Sequence, residues 1–133
     1  MDTTQSRLEP SEGKFTLGGF TERDELVGVV TFIRESSGKI RHKGNVYAMY
    51  VSPAARNQKL GYRLMTELIV RAGQLPGLEM VNLTVFSDNH PAKRLYTSLG
   101  FTCYGTERKA VKLDSVYLDE DLMTLELNPV LQE

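Results

Sequence analysis

The tightest constraint on the fold is a change of hydrophobic period between residues 46 and 86. Val46 to Val51 (VYAMYV) is an unbroken apolar run, which predicts a strand buried on both faces. Ser52-Pro53 ends it, because proline has no N–H to donate to a ladder. From Lys59 to Ala72 the period lengthens. Leu60, Leu64, Leu68 and Ala72 fall on one stripe, with Met65 and Ile69 beside them, as on an amphipathic helix. Gly73 and Pro76-Gly77 stop that helix. Met80 to Phe86 then alternates Val81, Leu83 and Val85 with Asn82 and Thr84, as a strand with one buried face does. A strand–helix–strand step implies a parallel pair joined by a right-handed crossover.

The flanking segments add antiparallel partners. Leu26 to Ile33 (LVGVVTFI) is a β-branched apolar run, read as a central strand. Phe15 to Phe20 is extended and forms a hairpin with it across the charged turn Glu22 to Glu25. Ser36 to Gly44 is a polar loop. Asp88 or Asn89 caps a second helix with Pro91 in its first turn, and Ala92, Leu95, Tyr96 and Leu99 form its apolar face. Gly100 suits the left-handed residue that closes such a helix, followed by apolar Phe101. Phe101 to Thr106 and Leu122 to Leu127 read as final strands, with Lys109 to Asp121 a polar, acid-rich connection between them. Residues 1–14 form a polar segment that orders itself weakly. Residues 15–133 are expected to be a single α/β (α+β) domain. Its sheet is mixed, mostly antiparallel and twisted, with helices on its faces.

Composition removes several classes of function. Lys plus Arg total 16 and Asp plus Glu 17, giving a net charge of −1. That lacks the basic footprint of a nucleic-acid binder. One cysteine, Cys103, allows no internal disulfide, and with two histidines it builds no zinc cluster, so no metal is expected. Cys103 itself, on a strand, reads as a small buried hydrophobe. The N-terminus has no apolar signal core, and no segment nears the ~20 apolar residues of a membrane helix. The expectation is a soluble, cytoplasmic protein with no membrane partner.

The chemistry concentrates at the break after Val51. The chain passes through Arg56-Asn57-Gln58-Lys59-Leu60-Gly61 into the long helix. The first N–H groups of a helix have no intrahelical acceptor and sit at its positive end, which suits a phosphate or pyrophosphate. Gly61 lets a ligand approach the backbone, and Arg56 and Lys59 add positive charge. On this turn alone an ordinary loop is the simpler reading and an anion site the alternative. A second segment, Asn89-His90-Pro91-Ala92-Lys93-Arg94-Leu95-Tyr96, closed by Gly100-Phe101, follows the next strand.

Together the two segments resemble the GNAT superfamily of N-acetyltransferases. Its first motif, Arg/Gln-x-x-Gly-x-Gly/Ala after a strand, falls on Arg56, Asn57, Gln58, Lys59, Leu60 and Gly61. Its second, Asn-x-x-Ala-x-x-x-Tyr followed by Gly-Phe, falls on Asn89, Ala92, Tyr96, Gly100 and Phe101. The resemblance runs from about Phe15 to Leu127. It implies an acyl-CoA N-acyltransferase fold and direct transfer of an acetyl group from acetyl-CoA, as co-substrate, to a primary amine of a small molecule or protein. It further implies that the pantetheine arm pairs with main-chain groups of Met49, Tyr50 and Val51 where their strand splays from Met80 to Phe86. The same donors would polarise the thioester carbonyl. The pyrophosphate would lie over Arg56 to Tyr62, Asn89 and Ala92 would contact the coenzyme, and Tyr96 would be the general acid toward sulfur.

There are two departures from the family pattern. Lys59 stands where glycine is usual, with the backbone still serving and the side chain facing solvent. The strand and helices that usually precede the first hairpin and line the acceptor side are not apparent in residues 1–14. That leaves an alternative, a non-catalytic acyl-CoA-binding module with an incomplete acceptor site. It also makes a homodimer plausible, because an uncovered sheet edge invites pairing. No base is identified: Glu35 and His42 are considered, but both read more simply as solvated, and His90 as a surface residue. Asp119-Glu120-Asp121 could attract a cationic amine, although charge runs are usually solvated faces. A nucleotide-binding domain lacks support, since neither GxxxxGK[ST] nor GxGxxG is present.

Overall fold

A computed structural model of the chain describes residues 3–6 and 13–127, with side chains described for 13–55 and 59–127. The elements run β1 (Thr3–Ser6), β2 (Lys14–Phe20), β3 (Leu26–Arg34), β4 (Lys43–Val51), α1 (Leu60–Gly73), β5 (Met80–Phe86), α2 (His90–Ser98), β6 (Thr102–Leu113) and β7 (Val116–Glu126). A 3-10 turn, Pro53–Gln58, joins β4 to α1. They build a seven-stranded sheet in the order β1-β2-β3-β4-β5-β7-β6. Only β4 and β5 pair in parallel; every other neighbouring pair is antiparallel.

One face of this sheet is the core. Phe15 and Leu17 on β2, Val30 and Phe32 on β3, Val46 on β4, Val81, Leu83 and Val85 on β5, and Met123 on β7 are all buried, two residues apart along each strand as the pleat requires. α1 lays Leu60, Leu64, Met65, Leu68 and Ala72 onto that face. Two glycines make the sockets: a Cβ at Gly19 would stand 2.6 Å from Leu60 Cδ1, and one at Gly28 2.8 Å from Leu60 Cδ2. Each fully buried leucine of this kind contributes about 2 kcal/mol. α2 lies against the same face, with Tyr96 edge-on to Phe101 at 5.9 Å and Lys93 paired with Asp121 on β7. Among the described residues the other face carries no helix.

Four expectations need correction. β4 is buried on one face rather than two: Tyr47 and Tyr50 are 50% and 54% exposed, because among the described residues no layer covers the strand's far side. The connection between the last two strands is itself strand. β6 and β7 form one long hairpin around a turn at Asp114 and Ser115, and on either side of that turn the side chains are mostly exposed and mixed, with no apolar alternation. Cys103 is exposed, on the edge strand β6, so it is not the small core residue expected. A short strand, Thr3–Ser6, pairs with β2, although its polar TTQS sequence gave no such signal.

Candidate functional site

The site begins with an incomplete ladder. β4 and β5 pair only over Lys43–Met80, Gly44–Val81 and Asn45–Asn82. Beyond Asn45 the strands part, so Val46 to Val51 has no ladder partner on β5. A bulge in β4 accompanies the parting. Val29 faces Tyr50 and Thr31 faces Tyr47, which leaves Ala48 and Met49 opposite the single residue Val30. Ala48 takes φ 56°, the left-handed region, which is uncommon for a residue with a Cβ and stores about 1 kcal/mol. A strand bent at that point veers from its parallel neighbour.

Two continuous spaces fill the opening. A cleft of about 910 Å³ is lined by Met49, Tyr50 and Val51 on β4, Lys59, Gly61 and Tyr62 at the start of α1, and Asn89, Pro91, Ala92 and Leu95 of α2. A deeper cavity of about 400 Å³ shares Met49, Asn89, Ala92 and Leu95 with it, and adds Leu83, Val85 and Tyr96. Gly61 forms the narrow point, where a Cβ would come to 3.0 Å from Met49 Cε and 3.4 Å from Leu95 Cδ2.

The cleft's electrostatics follow from helix ends. α1 has no side-chain cap, so no side chain occupies the N–H groups at its positive end, and Lys59, Gly61 and Tyr62 at that end line the cleft. Lys59, just before it, is left-handed at φ 59° and exposed. This explains why glycine suits the position: a lysine there carries the strain of a Cβ at positive φ. Leu60 buries its side chain completely in the core, so only its main chain could reach a ligand. The side chains of Arg56, Asn57 and Gln58 lie outside the described residues; their backbone forms the 3-10 turn. Asn89 caps α2, its Oδ1 accepting from the Ala92 N–H at 3.3 Å. Asn89 and Ala92 therefore both build the helix start and line the cleft.

Tyr96 is the only buried residue of α2. Burial pushes its phenol above the ordinary value, so it remains a proton donor across neutral pH. It lines the deeper cavity, and α2 is clamped beside it by a polar cluster the sequence did not signal. Lys93 Nζ lies 2.7 Å from Asp121 Oδ2 and donates to the Ser87 carbonyl at 3.1 Å. Ser87 Oγ and Thr106 Oγ1 both donate to Asp121 Oδ1, at 2.6 and 2.9 Å. These bonds, Lys93 first, hold the Asp121 carboxyl down to about 2.

Neither base considered from sequence is near the opening. Glu35 accepts from Asn45 Nδ2 at 2.9 Å, which places it at the closed end of the β4–β5 pair. The His42 carbonyl accepts from the Glu79 and Met80 N–H groups at the same end. A strand end that looks adjacent in sequence is here the wrong end of the ladder. Glu120, in contrast, lines the deeper cavity.

The profile of the acetyltransferase (GNAT) family matches residues 2–101. The chain belongs to the GNAT family. Among its relatives, the mycothiol acetyltransferase of Actinosynnema mirum is 35% identical over 106 residues, covering 77% of this chain and 34% of that protein. This GNAT chain spans between 21% and 34% of the length of the mycothiol acetyltransferases named among its relatives. The L-amino acid N-acetyltransferase AaaT of Escherichia coli is 28% identical over 115 residues, covering 86% of this chain and 70% of that protein. A Salmonella typhimurium protein solved with its cofactor acetyl-CoA superposes with a TM-score of 0.78 at 27% identity, over 87% of this chain and 66% of that one. No helix among the described residues is long and apolar enough to cross a membrane, and no group of metal-ligating side chains occurs among them.

Proposed function

We propose that this GNAT chain, acting as a single domain over residues 15–133, binds acetyl-CoA in the cleft between α1 and α2 and transfers the acetyl group to a primary amine. The observation that carries the reading is the parting of β4 from β5 beside an uncapped helix start. The fit is chemical as well as spatial. An elongated, anionic ligand with an amide-bearing arm needs helix-start N–H groups at one end and, at the other, a strand segment outside the β4–β5 ladder. Main-chain groups of Met49, Tyr50 and Val51 supply that segment. The turn from Arg56 through Asn57, Gln58, Lys59, Leu60 and Gly61 to Tyr62 supplies the anion cradle, with the Lys59 ammonium beside it. Asn89 and Ala92 close the far wall. When bound, acetyl-CoA supplies an acetyl group activated as a thioester. The chain's part is to orient it, exclude water and, through Tyr96, offer a proton where sulfur departs.

Titration calorimetry with acetyl-CoA tests binding, and thiol release with a panel of polyamines, amino acids and peptides tests transfer. Heat with acetyl-CoA and turnover on at least one amine is the expected result. Heat without turnover on any acceptor would instead favour a coenzyme-binding module. Absence of heat would remove the assignment. The reading places this work in the cytoplasm, where an exposed thiol such as Cys103 stays reduced. It also admits a homodimer: β6 is an edge strand, and Tyr104, Leu113, Val116 and Tyr117 are exposed along its hairpin. Light scattering after size exclusion should give twice the monomer mass; a clean monomer at high concentration would exclude the dimer.

A further inference from the structure

The deeper cavity is lined by residues of both sheet faces. Val46, Leu83, Val85 and Tyr96 line it from the helix side. Tyr47, Thr84, Phe86 and Glu120 also line it, and each sits one residue out of phase with a core position: Tyr47 beside Val46, Thr84 and Phe86 flanking Val85, Glu120 beside Asp121. Their side chains therefore point to the helix-free face. The ladder agrees, since Phe86 lies directly opposite Glu120 between β5 and β7. The parted strands thus leave a passage with one mouth on each face.

The far mouth has a definite chemistry. Glu120 is half-buried, and no hydrogen bond or ion pair engages its carboxylate among the described residues. Its two chain neighbours are committed elsewhere, while Glu107, directly opposite on β6, adds a second carboxylate on the same face. Asp121 is taken by Lys93, Ser87 and Thr106, and Asp119 Oδ1 accepts from the Lys109 N–H at 2.8 Å. Tyr47 and Phe86, 50% and 38% exposed, present aromatic surface in the same space. Among the described residues lining it there is no lysine, arginine or histidine. One unpaired carboxylate with two aromatic side chains and no cation recognises an ammonium group on an apolar body. It also repels a carboxylate placed beside that ammonium.

We infer that Glu120 is the specificity-determining residue for an acceptor at the far mouth, and that it selects cationic amines lacking an adjacent carboxylate. This rests on the acetyltransferase reading, which leaves the acceptor open.

The test uses 2-phenylethylamine and L-phenylalanine, which differ by one carboxylate. Binding of each to the wild-type chain and to Glu120→Gln is followed by NMR at the amides of Tyr47, Phe86 and residue 120, with and without acetyl-CoA. Phenylethylamine should bind the wild type about tenfold more tightly than L-phenylalanine, as a second carboxylate placed beside Glu120 implies, and Glu120→Gln should shrink that gap below about threefold. In thiol release, the substitution should raise KM for phenylethylamine with a smaller change in kcat. Equal binding of the two ligands by the wild type, a gap that survives Glu120→Gln, or perturbed amides confined to the helix side would overturn the inference. The two readings fail separately: acetyl-CoA heat without amine perturbation at the far mouth sinks this one alone, whereas amine selectivity without acetyl-CoA heat sinks the parent.

Discussion

α1 and α2 lie on the same sheet face but are held there by different chemistry. α1 buries five side chains, Leu60, Leu64, Met65, Leu68 and Ala72, and fits them over glycines on β2 and β3. α2 buries Tyr96 alone and depends on the Lys93–Asp121 pair with its two hydroxyl donors. Apolar contact is non-directional, so it stabilises α1 without fixing its last fraction of an ångström. Hydrogen bonds to a charged carboxylate are directional and fix the register of a short helix on the sheet. The helix that supplies core mass and the helix that positions the candidate proton donor are therefore distinct, and mutations should separate them.

The largest effect is expected at α1. Leu64→Ala should lower unfolding free energy by about 3 kcal/mol in a urea titration, through lost burial and the cavity left behind. Acetyl-CoA affinity of the folded fraction should stay within about twofold, because Leu64 does not line the cleft. A stability loss under about 1 kcal/mol would deny α1 its role as the apolar anchor. Lys93→Met breaks the other anchor. It leaves the Asp121 carboxylate buried without its counter-ion, at a cost of about 2 kcal/mol. Because α2 carries Tyr96, turnover should fall more than acetyl-CoA affinity; equal losses would show that the clamp is only structural.

The same clamp has a pH signature. Asp121 titrates near 2 in the folded chain, against about 4 for an unfolded aspartate. Its folded value is depressed, so its stabilisation is complete above the unfolded value and is lost as pH falls from about 4 toward about 2. Stability measured between pH 5 and pH 2 should drop for the wild type, and Asp121→Asn should lack that part of the drop. Tyr96→Phe makes a narrower cut within α2. The phenyl ring keeps its edge contact with Phe101, so stability should change by less than about 0.5 kcal/mol. Turnover should fall about a hundredfold, as loss of a general acid implies, with acetyl-CoA affinity nearly unchanged. Equal losses in both would make Tyr96 structural.

The sequence made α1 more legible than α2, for the same physical reason. Apolar periodicity announces Leu60, Leu64 and Leu68 directly, and with them the β4–α1–β5 unit. A cap at Asp88 or Asn89, which the structure assigns to Asn89, and the Gly100 closure were also readable, because each is a local backbone requirement. The Lys93–Asp121 cluster was not, since it joins α2 to β7 across residues whose polarity looks like solvated surface. The β4 bulge was hidden as well: nothing in an alanine announces φ 56°. Glu120 belongs with these. In sequence it is the middle of an acidic run, and only the ladder shows that Asp121 turns toward α2 while Glu120 turns toward the passage. Side-chain alternation along a strand divides a charge run into residues with opposite surroundings, and a linear reading averages them.

The smallest effect is expected at the junction where α1 begins. Lys59 holds φ 59°, so Lys59→Gly removes a Cβ from the left-handed region and should raise stability by about 1 kcal/mol in a urea titration. The same change removes an exposed ammonium at the cleft mouth. If the first-turn N–H groups of α1 do most of the anion binding, acetyl-CoA affinity should fall no more than about threefold, and the loss should vanish in high salt as an exposed charge contact does. A tenfold or greater loss that persists in salt would mean that the lysine side chain grips the ligand directly. The departure from glycine at this position would then be a binding device that outweighs its backbone strain.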